Sequence, residues 1–130
     1  MGPTSVAGSG AAGGGEISCA AFIAILWDAL VDLLGSAAAS TNLRRAALRA
    51  ASRSPELALI VFSRVDMEYA YDLPTDFHDR VAGAAPAMRD LVRELLLLLE
   101  EMTGRVVVRR IEQIPQIRTW GMFPSEEVQR

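Results

Sequence analysis

Between Pro86 and Met102 apolar residues return every three or four positions. At about 100° per residue, Met88, Leu91, Val92, Leu95, Leu98, Leu99 and Met102 share one face. That stripe predicts a helix packed on a core. Pro86 suits its first turn, where the missing N–H has no partner to lose, and Gly104 offers the left-handed position that ends many helices. Arg105–Ile111 follows as a β-branched run and is expected to be a strand. Leu97 breaks the pattern. It falls between the lane of Arg89, Arg93 and Glu100 and the lane of Asp90, Glu94 and Glu101, where an intramolecular core does not explain it.

Upstream, Glu16–Leu34 predicts a helix of a different kind. Asp28 and Asp32 form a narrow polar strip, while Phe22, Ile23, Leu26, Trp27, Leu30, Val31, Leu33 and Leu34 cover most of the circumference. Such a helix wants burial nearly all round, which a second subunit or a longer parent chain would supply. Gly35 closes it. Ser40, Thr41 or Asn42 can cap a second helix, Leu43–Arg53, with Leu43, Ala47, Ala50 and Ala51 on a small-residue face and Ser54-Pro55 as its stop.

Leu57–Ser63 and Met67–Leu73 are then expected to be strands. The first is apolar on both faces, as a central strand would be. The second alternates, with Met67, Tyr69, Tyr71 and Leu73 against Glu68, Ala70 and Asp72, as in a half-exposed antiparallel strand. Arg64-Val65-Asp66 is short enough for a hairpin turn, but with no Gly or Asn-Gly to mark it a single bent strand is the alternative. Pro74–Ala85 is a loop. Beyond Pro115 the chain loses its periodicity, and Ser125-Glu126-Glu127 resembles the first turn of a helix.

Together these elements predict an α+β fold: one two-layer domain over residues 16–124 in the order α-α-β-β-α-β, with a small, mostly antiparallel sheet and helices mainly on one face. Residues 1–15, which hold six of the ten glycines and have no periodicity, are expected to be a flexible tail, and residues 125–130 a frayed or truncated helix start.

Composition narrows the function more than it names one. The net charge of −3 disfavours a nucleic-acid binder, whose affinity comes largely from cations against phosphates. All thirteen cations are arginine, and twenty alanines accompany them. This points to a high-GC bacterial genome, so arginine content by itself says nothing about ligands. With one cysteine there is no intramolecular disulfide. Ile17–Trp27 is too short to span a membrane and no secretory signal is visible, so a cytoplasmic location is expected.

The chemistry-bearing candidates are few. His78, the only histidine, lies between Asp76 and Asp79, and a carboxylate could orient it as a base or ligand. No second histidine and no nearby nucleophile support this, so a solvated loop is the plainer reading. Asp66, Glu68 and Asp72 could share a strand face and hold a cation, or simply face water. Cys19, set among Ala20, Ala21 and Phe22, is expected to act as a small hydrophobe rather than a nucleophile. Arg45, Arg49 and Arg53 form a stripe at i, i+4, i+8, able to meet an anion, face solvent, or pair with Asp28 and Asp32. Arg109–Arg110 is equally ambiguous. The glycine-rich start lacks the features of a phosphate loop.

Apolar surface is harder to set aside. The all-round apolar first helix with Trp27, the misplaced Leu97, and Trp120, Met122 and Phe123 together point to a protein–protein interface. The leading expectation is a small interaction or regulatory module that self-associates or docks a protein partner, without cofactor or metal. The alternative is an enzyme or small-ligand protein with a cleft near His78, lined by Tyr69 or Tyr71.

Overall fold

The computed structural model describes residues 17–120. The expected tail (1–15), Met122, Phe123 and the expected helix start (125–130) lie outside that range.

Helix α1, Cys19–Leu34, begins where the Ser18 Oγ accepts the Ala21 N–H at 3.0 Å, satisfying one of the amides a helix start leaves free. It ends at Gly35, whose N–H donates to the Val31 carbonyl at 2.8 Å. No loop follows. Gly35 has φ 89° and ψ 162°, and helix α2, Ser36–Ala50, starts at the next residue. The same joint recurs at Gly104, with φ 80° and ψ −163°, between α3, Pro86–Thr103, and α4, Arg105–Glu112. Both glycines occupy a backbone region that is essentially reserved for glycine. Gly104 is thus a hinge between two helices rather than the left-handed terminator expected of it. A short helix α5, Pro115–Trp120, completes the helical set.

The strand expected at Arg105–Ile111 is therefore helical. β-branching misleads here, because Val108 and Ile111, both buried, and the half-buried Val107 share one face at helical spacing, whereas alternation would have left neither strand face clean. The second helix also starts earlier than expected. Asn42 lies inside it and its side-chain amide donates back to the Ala38 carbonyl at 2.8 Å, instead of capping a helix start. Buried at 1% exposure, its Oδ1 has no hydrogen-bond partner among the described residues.

The helices form a ring in which α1 meets α2 and α4, and α3 meets the same two. Phe22, Ile23, Leu26 and Leu30 of α1, Leu43 of α2, Leu91, Leu95 and Leu99 of α3, and Ile111 of α4 fill its centre, each at most 1% exposed. Burying a side chain of this size is worth about 1.5–3 kcal/mol. On α1 only Asp28 and Asp32 are exposed. One chain thus covers most of this apolar helix, leaving Trp27, Val31, Leu33 and Leu34 partly buried rather than open.

Among the described residues the sheet is one hairpin, β1 Val61–Val65 and β2 Glu68–Asp72, antiparallel with Ser63 opposite Ala70. The class is α+β, with the helices on one face of the hairpin. Its turn is Asp66-Met67, both with positive φ (53° and 72°), the geometry of a two-residue turn that matches strand twist. The first expected strand shifts accordingly. Pro55–Leu59 is a 3-10 turn, and β1 is a mostly exposed strand, not a central one. Phe62, Tyr69 and Tyr71 point toward the helices and are partly buried, while Val61, Ser63 and Val65 face out. Tyr71 stacks on Trp27 with ring centroids 5.1 Å apart.

The glycine joints yield a direct expectation. A Cβ at either position would meet nothing within 4 Å, so Gly35→Ala and Gly104→Ala cost backbone strain alone. Each should lower unfolding free energy by about 1–3 kcal/mol in denaturant titrations.

Candidate functional site

The loop carrying the histidine is more ordered than turn signals suggest. Phe77, fully buried, anchors the 3-10 turn Thr75–His78 to the core, and its neighbours Asp76 and His78 are turned outward and exposed. The loop is also tied to the start of α1 by backbone bonds: Cys19 N–H donates to the Arg80 carbonyl and Ala82 N–H to the Ile17 carbonyl, each at 2.8 Å. Phe77 was legible only as an apolar residue among turn formers.

The two carboxylates do not serve the imidazole. Asp76 lies 3.8 Å from Arg80, which also pairs with Glu56 at 3.3 Å. Among the described residues no hydrogen bond or ion pair joins His78 to Asp76 or Asp79. His78 instead borders an open depression of about 540 Å³ together with Ser18, Ala24, Tyr71 and Asp72. Of the expected cleft residues Tyr71 is here and Tyr69 is not. Tyr69 faces a smaller hollow, of about 290 Å³, with Ser40, Thr41 and Arg44.

Cys19 sits nearby but is 1% exposed. Burial pushes its thiol pKa up, Arg80 opposes this, and Asp76 and Glu56 add to the rise, so the thiolate is scarce at neutral pH. Tyr71 is likewise held above its ordinary value by burial and by the charge of Asp28.

The other charged candidates disperse. Asp66 is in the turn, and Glu68 and Asp72 lie four residues apart on β2, roughly 13 Å by strand rise. No group of three His, Cys, Asp or Glu side chains is placed to hold a metal among the described residues. In the arginine stripe, Arg53 turns to α3, where it meets Glu94 at 2.9 Å and Asp90 at 3.7 Å, not Asp28 or Asp32. Asp90 also accepts the Ser54 hydroxyl at 2.7 Å. Arg45, Arg49, Arg109 and Arg110 are exposed, and none has a carboxylate within 4.0 Å among the described residues. The Ser54–Asp90–Arg53–Glu94 cluster joins the end of α2 to the start of α3. Sequence spacing hides it, because its members lie about forty positions apart.

The interface candidates divide. Leu97 is 48% exposed on α3, where the wheel placed it. Trp27 is partly buried against Tyr71. The backbone of Trp120 closes α5. The exposed apolar surface of the hairpin was not among the expectations: Leu59, Val61, Val65 and Met67, on and beside it, are 57–75% exposed. Periodicity took Val61 and Leu59 for strand interior and Met67 for a buried face.

Two expectations separate structural from incidental groups. Asp90→Ala strands the Ser54 hydroxyl, 5% exposed, and should cost about 1–3 kcal/mol in thermal or chemical unfolding, whereas His78→Ala should stay within about 0.5 kcal/mol. Cys19 and Tyr71 both hold their protons more tightly folded than unfolded. Stability is therefore complete below about pH 9 and falls as pH rises through the alkaline range, first by the thiol and then by the phenol. In unfolding measured against pH, Cys19→Ala should remove the earlier part of that decline and Tyr71→Phe the later.

The chain matches no protein-family model, no curated protein and no solved structure.

Proposed function

We propose that this chain is a small bacterial, cytoplasmic protein-interaction or regulatory module, working by self-association or by docking a protein partner. The observation that carries the reading is the unburied apolar hairpin. Val61, Val65 and Met67, with Leu59 just before them, put large apolar side chains into water on an element whose other face is already packed on the helices. Exposed apolar area gathered on one element is characteristic of surfaces that meet another protein. Leu97 adds a second such position on α3. No helix among the described residues is long and apolar enough to cross a membrane.

A second reading, a small-ligand site, is favoured by the depression beside His78, Tyr71 and Asp72. It would use the imidazole and phenol as hydrogen-bonding groups.

Light scattering tests the first reading. At micromolar concentration the mass should be a multiple of the 14.0 kDa chain. A single 14.0 kDa species at every concentration would remove self-association. A metal or small molecule that shifts the His78 resonances would favour the second reading.

A further inference from the structure

Among the described residues the hairpin is the whole sheet, with two open edges, and the two edges are not equivalent. Its turn is closed by Val65 and Glu68. In a two-residue hairpin that closing pair exchanges both backbone hydrogen bonds, and by alternation so do Ser63–Ala70 and Val61–Asp72. The N–H and C=O of Phe62 and Arg64 therefore point away from β2, and those of Tyr69 and Tyr71 away from β1. None of these outward groups has a backbone partner among the described residues. An open row of this kind is a template for a further strand.

We infer that the β1 edge pairs antiparallel with the β1 edge of a second copy of this chain, about a two-fold axis at Ser63, making a four-stranded sheet. The inference rests on the reading of the chain as an association module and names both partner and register.

The register follows from the outward groups. Phe62 and Arg64 can bond only to outward groups, which leaves three phasings. Phe62 opposite Phe62 would set Arg64 against Ile60, whose N–H already donates to the Leu57 carbonyl, and Arg64 opposite Arg64 would set like charges together and Phe62 against the turn residue Asp66. Phe62 facing the second copy's Arg64 uses both residues fully and puts Ser63 opposite Ser63. This self-pairing closes on itself, as an isologous contact must. The side chains suit it. On the outer face, Val61, 57% exposed, lies opposite the second copy's Val65, 65% exposed, so the pairing covers two of the exposed apolar residues of each chain. On the inner face, Arg64, already 5.7 Å from the centre of the Tyr69 ring, comes beside the second copy's Phe62 and gains a second aromatic neighbour.

The β2 edge lacks this complementarity. The same phasing there would centre on Ala70 and set Glu68 opposite the second copy's Asp72 twice over, and like charges directly opposite are destabilising. Pairing β1 with a foreign β2 is heterologous: it leaves a complementary β1 edge and β2 edge free to add further copies and does not close. Charge and hydrogen-bond phasing thus select one edge and one register.

Ser63 is the position that tests it. Residues opposite in a non-hydrogen-bonded pair have Cα atoms about 4.5 Å apart, within disulfide reach. In a Cys19→Ala background, Ser63→Cys should form a disulfide-linked dimer with oxidised glutathione. Ala70→Cys, also exposed on the outer face but one strand farther from the axis, should stay monomeric on a non-reducing gel. Ser63→Glu, whose hairpin neighbour Ala70 is uncharged, should weaken dimerisation at least tenfold by light scattering while keeping the circular dichroism of the parent and the melting that the parent shows when diluted to monomer. A dimer that survives Ser63→Glu, with no cross-link through Ser63→Cys, overturns this pairing and leaves association through another surface. A parent chain that is monomeric throughout overturns both the pairing and self-association.

Discussion

Two glycines set the geometry on which the rest of this fold depends. At Gly35 and Gly104 the chain passes from one helix into the next through a single residue, at φ 89° and φ 80° with ψ near 180°. An L-residue reaches that region only at a cost. Because each joint is one residue long, the apolar stripe of the first helix determines where the next must lie. The result is the ring α1–α2–α3–α4, in which Leu91, Leu95 and Leu99 of α3 share one core with Phe22, Leu26 and Leu30 of α1.

The parts of the fold that could be read from sequence are those whose stripe is strong and whose neighbours are local. Helix α3 was legible nearly to the residue, from Pro86 to the turn before Gly104. The outward Leu97 was legible too, because an amphipathic wheel makes one apolar residue among charges visible. Helix α4 was not. Its three consecutive valines favour a strand locally, and only packing of Val108 and Ile111 into the ring decides for helix. The start of α2 was hidden because Ser36–Asn42 has no large apolar residue to show a stripe, because its Ser, Thr and Asn are residues that also cap helices, and because a helix can follow Gly35 at once.

The candidate chemistry fared differently from the surfaces. His78, Asp76 and Asp79 are close in sequence, yet Phe77 plunges into the core between two of them and Arg80 takes Asp76 for itself. Adjacency along a chain does not make a constellation. The Ser54–Asp90 contact shows the converse, a tight polar pairing that no local pattern could announce. The hairpin was seen as strands but misjudged in exposure, because alternation says which side chains share a face and not whether anything covers that face.

The one-residue joints also bear on how this molecule folds. Three of its packed pairs, α1 with α2, β1 with β2, and α3 with α4, join neighbours along the chain, so each can form with little loop to close. The seams of α2 with α3 and of α1 with α4, with the contacts of α1 to the 75–84 loop and of α2 to β2, bring distant segments together. Chains dominated by such local pairs search less and fold faster than sheets of comparable size. The entropy that remains is concentrated in closing the ring, where the long leucine face of α3 meets α2. The hairpin is closed by its own two-residue turn, and its packing on the helices, through Trp27 and Tyr71 among others, supplies what two strands alone lack.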